Sequence, residues 1–98
     1  MLDPRGTRAL AEFLALLLAY YTCDAAAQTQ EPLGPDRLAC VATYEEVKSY
    51  FAPITPSPRG TPAYGAERIA TYRAFSAWEA ENAEVVAQLR AEAQAAAQ

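Results

Sequence analysis

From Ala66 to Gln98, the last third of the chain, there is no proline and no glycine. Just upstream, Thr61 offers an N-cap and Pro62 fits the first helical position, where no amide donor is needed. Phe75, Trp78, Asn82, Val85 and Leu89 then recur at spacings of 3, 4, 3 and 4, which puts them on one helical stripe. The spacing predicts a single long amphipathic helix over 62–97. Tyr72 adjoins the stripe, and full burial of each large aromatic group is worth about 1.5–3 kcal/mol. Such groups either pack on a neighbouring helix or anchor a partner protein. Heptad labelling places Phe75, Asn82 and Leu89 at one core position and Trp78 and Val85 at the other, which admits a coiled-coil homodimer. Glu92 breaks the next core position, and the stripe fades into AEAQAAAQ, a tail expected to fray or to lie along a partner.

A second, shorter helix is expected over 36–52. Asp36 can cap it, and Cys40, Tyr44, Val47 and Phe51 share a face, with Leu38 and Val41 flanking. Thr43 and Glu46 also match a capping box, which would start the helix later, at Tyr44. Pro53 ends it, because the residue before a proline is biased away from helical angles. The segment 53–62, PITPSPRGTP, holds four of the seven prolines. It is expected to be a stiff, partly extended hinge that reverses the chain at Arg59-Gly60. A proline-motif ligand and a Ser57 phosphorylation site match the same letters, but those patterns are common by chance.

Residues 1–27 read either as a signal peptide or as an N-terminal apolar helix. Arg5 and Arg8 precede an apolar run, and the charge-free segment from Phe13 to Cys23 spans only about 16 Å as a helix. That is short for a bilayer core of about 30 Å and suits the apolar region of an export signal, with cleavage after Ala27. Against a signal stand Asp3, Glu12 and the bulky Tyr20 and Tyr21. As a packed helix, Asp3 would be the cap and Pro4 the first residue. Leu10, Phe13, Leu14, Leu17 and Tyr21 would form the inner face, and Arg8 and Glu12 would pair outside it. An uncleaved membrane anchor, contacting lipid through 9–23, is the third reading. A lipid-attachment box at Cys23 is disfavoured by the Tyr20, Tyr21 and Thr22 before it. Residues 28–35 read as a linker, leaving 36–98 as a helical hairpin domain.

Cys23 and Cys40 are the only cysteines. Cys40 is either a small buried thiol, half of a disulfide with Cys23, or, once Cys23 is removed, a link to a second copy. Cleavage after Ala27 and the Cys23–Cys40 bond exclude each other. The bond requires an oxidising compartment and a retained N-terminus.

Composition narrows the function classes. There is no histidine, which removes the commonest general base and metal ligand. Two cysteines alone do not make a zinc site. A net charge of −4 argues against nucleic acid. No phosphate-binding glycine loop, nucleophile elbow or metal-binding helix motif is present, and no catalytic residue, metal or cofactor is expected. Seven arginines to one lysine, with abundant alanine, fit a GC-rich genome. The expectation is an all-α protein, a helical hairpin or three-helix arrangement with a proline-rich hinge. It would be exported to a bacterial periplasm or cell envelope, non-enzymatic, and bind another protein through Tyr72, Phe75, Trp78, Asn82, Val85 and Leu89. The alternative is an accessory subunit of a larger, membrane-associated assembly that keeps its N-terminal helix.

Overall fold

The computed structural model describes residues 4–29 and 34–97. It is all-α, with no strand among the described residues: α1 (Pro4–Thr29), α2 (Gly34–Ser49), α3 (Pro62–Glu81) and α4 (Ala83–Ala96). The first helix is the centre of the molecule. Phe13, Leu17, Tyr21 and Ala25 repeat every fourth residue along one row of α1 and are all buried. Val47 of α2, Phe75 of α3 and Ala93 of α4 close around Phe13, Leu17 and Tyr21. Leu10, expected on the same face, is exposed, whereas Phe13, one turn on, is covered by Tyr50 and Phe51 just past the end of α2. Leu14 is half-buried against the core. Asp3 and the Arg8 side chain lie outside the described residues, and with them the expected cap and the Arg8–Glu12 pair.

α1 runs through Ala27-Gln28 without a break and ends at Thr29, so the expected linker over 28–35 is largely helical at both ends. α2 starts two residues before the expected cap, which puts Asp36 in the first turn, where its charge complements the helix dipole. Its inner face is the predicted one, with Val47 fully buried and Tyr44 and Phe51 packed against the core. Thr43 lies inside the helix and donates to the Ala39 carbonyl, so no capping box forms there. After Ser49 the chain continues in single hydrogen-bonded turns, from the amides of Tyr50, Phe51 and Ala52 to carbonyls three residues back. α1 and α2 are tied by the Cys23–Cys40 disulfide, with Cα atoms 5.7 Å apart.

The helix expected to be continuous over 62–97 is two helices. It breaks at Asn82, whose backbone angles (φ −117°, ψ 39°) leave the helical region. The Asn82 side chain donates to the Trp78 carbonyl at 2.9 Å, and its amide donates to the same oxygen at 3.0 Å. Asparagine competes with helix for backbone partners in this way. The break lets α4 lay Val86, Leu89 and Ala93 against the core built on α1. The heptad seam therefore does not continue past Asn82. The molecule is a slab of 43 × 41 × 22 Å.

Candidate functional site

α3 crosses α2 at an ion pair. Both guanidinium nitrogens of Arg68 donate to the Glu45 carboxylate, at 2.9 and 3.0 Å. Lys48 reaches the same carboxylate at 3.0 Å and sits over the Tyr44 ring at 4.3 Å. The hydrogen bonds from Arg68, and more weakly those from Lys48, hold the Glu45 carboxyl down to about 2 against the opposing effect of burial. The Arg68 guanidinium is held more firmly protonated by the same bonds.

The proline hinge is pinned beside this pair. The Ser57 amide and hydroxyl both donate to Glu67, at 3.0 and 2.6 Å, which lowers the Glu67 carboxyl below its usual range. Gly60 takes φ +84°, the left-handed region that glycine enters freely, and this makes the expected reversal. Thr61 is the predicted cap: its hydroxyl accepts from the Tyr64 amide at 3.2 Å and donates to the Pro58 carbonyl. Between the end of α2, the hinge and the start of α3 lies a cavity of about 240 Å³.

Four large apolar side chains on the same two helices are exposed. Val41 and Leu38 lie four and seven residues before Glu45 and so continue its face of α2. Ile69 and Tyr72 follow Arg68 by one and four residues along α3. All four side chains are at least half exposed, Leu38 at 71%. Arg73 stands exposed at the rim and, among the described residues, is in no ion pair.

The predicted stripe is divided between these environments. Phe75 is buried, touching Phe51, Tyr44 and Tyr20. Trp78 is half-buried, edge-on to Phe13 at 5.1 Å. Leu89 packs on the core from α4, and Asn82 forms the break. Tyr72 and Val85 are exposed, and of the stripe only Tyr72 belongs to the apolar surface beside Arg68.

Sequence reasoning missed a polar cluster that ties three helices together. Tyr21 donates its hydroxyl to Glu79 at 2.5 Å. Arg90 lies 4.1 Å over the Tyr21 ring and 3.4 Å from Glu79, and it approaches Asp24 at 3.7 Å. Burial, and then the bond to Glu79, push the Tyr21 phenol up. Burial does the same for Tyr20 and Tyr44, which stack at 4.7 Å. Nothing local in the sequence marks a bond from Tyr21 across 58 positions. Among the described residues no three histidine, cysteine or acidic side chains gather as metal ligands. Comparison with family models, curated proteins and solved structures finds no match to this chain.

Proposed function

We propose that this is a non-enzymatic accessory protein that keeps its N-terminal helix, works in an oxidising compartment such as a bacterial envelope, and binds another protein. The Cys23–Cys40 bond carries the reading. It uses a cysteine that cleavage after Ala27 would discard, and disulfides persist only in oxidising surroundings. The burial of Phe13, Leu17, Tyr21 and Ala25 points the same way, since cleavage would remove most of the core. The binding surface in this reading is Leu38, Val41, Ile69 and Tyr72, rather than the whole stripe expected from sequence. The occupant that fits is an amphipathic helix of a partner, with its apolar side on Val41 and Tyr72 and an acidic residue opposite Arg73.

The intact mass from the native source, with and without reduction, tests retention. A mass starting at Met1 with a two-hydrogen gain on reduction is expected; a mass starting at Gln28 would overturn it. The surface is tested by a photo-crosslinker at position 72. Adducts to a defined helix of one protein, lost with Val41→Glu while the thermal melt is unchanged, are the expected result. Equal crosslinking from an α4 control position, Ala91, would remove the surface from the reading.

A second reading has its own observation. The stretch Ala9–Gln28 is long and apolar enough to cross a membrane, with mean hydropathy 1.4, and the outer side chains of α1 (Leu10, Ala11, Ala15, Ala19) are exposed. Membrane association through α1 fits this. Recovery of the protein in the membrane fraction after a high-salt wash would favour it over a soluble partner complex.

A further inference from the structure

We propose that the cavity between the end of α2, the proline hinge and the first turns of α3 binds a small amphipathic carboxylate, with the apolar body inside and the charge on Arg59. The proposal does not depend on the helix-binding surface, because none of Leu38, Val41, Ile69 and Tyr72 lines the cavity.

Volume sets the size class. An engineered apolar cavity of about 150 Å³ takes benzene, so about 240 Å³ takes a ring with a short substituent. The walls suit such a body: Ala52, Pro53, Pro56 and Tyr64 line the space. Two of these are prolines with fixed φ, and the hinge is bolted to α3 through Ser57 and Glu67. The cavity is therefore formed before any ligand arrives, which lowers the ordering cost of binding.

Charge sets the chemical class. Five charged side chains, of both signs, line the cavity, and four are committed. Glu45 is taken by Arg68 and Lys48, and Glu67 by Ser57. Glu67 keeps its charge, but both of its oxygens already accept from Ser57, one from the amide and one from the hydroxyl. Arg59 is exposed and, among the described residues, in no ion pair. With three basic and two acidic groups the lining carries one excess positive charge, in a chain of net charge −4. One free guanidinium matches one carboxylate, in bidentate geometry. A phosphate dianion would need a second cation, and both candidates are engaged.

The test uses the full, disulfide-intact protein labelled with 15N and three probes at pH 7: phenylacetate, phenethylammonium and inorganic phosphate. Phenylacetate should give saturable shifts at the amides of Ser57, Arg59 and Tyr64, with a Kd on the order of 1 mM for a ligand of this size. Phenethylammonium, with a similar apolar body and the opposite charge, should bind at least about tenfold more weakly. Arg59→Ala should weaken phenylacetate at least about fivefold, and Arg59→Glu should reverse the preference between the two organic probes. Arg59 is exposed, so neither variant threatens the fold. No saturation by about 20 mM, equal binding of both organic probes, unchanged affinity in Arg59→Ala, or tighter binding of phosphate than of phenylacetate would each overturn the proposal.

Discussion

Glu45 and Tyr21 show how single side chains couple this fold to pH, in opposite directions. The Glu45 carboxyl sits near 2 when folded, against 4.5 when free. Its depressed value means that the stability it contributes is present above about pH 4.5 and is lost as pH falls toward 2. The pair is nearly half exposed, so screening limits that contribution to at most about 1 kcal/mol. Urea unfolding of the native protein and Glu45→Gln should differ at pH 6, and the gap should narrow steadily as pH falls below about 4.5. A gap independent of pH would show that the carboxylate charge is not what matters. Tyr21 is raised from 10.0 by burial and by its bond to Glu79. Its contribution is complete below pH 10 and is lost as pH rises toward the folded value. Tyr21→Phe should cost about 1–2 kcal/mol at neutral pH, because it leaves Glu79 only the longer contact from Arg90, and should flatten the loss of stability above pH 10. Alkaline melts of the two proteins check the sign.

At the scale of elements, the break at Asn82 and the Cys23–Cys40 staple decide how the helices meet. Alanine-rich sequence on both sides of Asn82 favours continued helix. The break survives because straightening it would pull Val86, Leu89 and Ala93 away from the core. Asn82→Leu, which perfects the heptad pattern, is therefore expected to leave the sedimentation coefficient unchanged, as for a monomer. A dimer in that variant would mean that the seam outcompetes docking of α4. The staple closes a segment with a sequence separation of 17 between α1 and α2. The doubly substituted Cys23→Ser/Cys40→Ser protein should lose about 3 kcal/mol by loop-closure entropy while keeping its helix content. Circular dichroism during guanidinium unfolding reads both quantities. α2 and the hinge were legible in the chain, since period, proline and glycine act locally. The start of α2 at Gly34 and the absence of a box at Thr43 were not, because disulfide and core contacts override weak end signals.

For the whole molecule, the decisive fact is that the most N-terminal helix supplies most of the core. Among the described residues, four of the seven buried apolar side chains belong to α1. A chain starting at Gln28 would keep α2, α3 and α4 but lose the surface on which all three pack. It should show a broad, non-cooperative melt and a Trp78 emission shifted toward that of solvent, whereas the full protein should melt sharply with a blue-shifted Trp78. A cooperative melt for the truncated chain would instead support 36–98 as an independent hairpin domain. The slab, only 22 Å thick, also explains why apolar side chains such as Leu38, Val41 and Tyr72 remain on the surface. A thin layer of four helices has too little interior to take them all.

By itself the sequence determined that the protein is helical, where the proline hinge turns and which face of α2 is apolar, because periodicity, capping and the fixed φ of proline operate within a few residues. It also restricted the chemistry, through the absence of histidine. Only the tertiary structure decided what those faces meet. It buried Phe75, left Tyr72 on the surface, broke a continuous helical pattern at Asn82, joined Cys23 to Cys40 and brought Tyr21 to Glu79. Each of these depends on contacts between residues far apart in the chain, and no local property of the sequence carries that information.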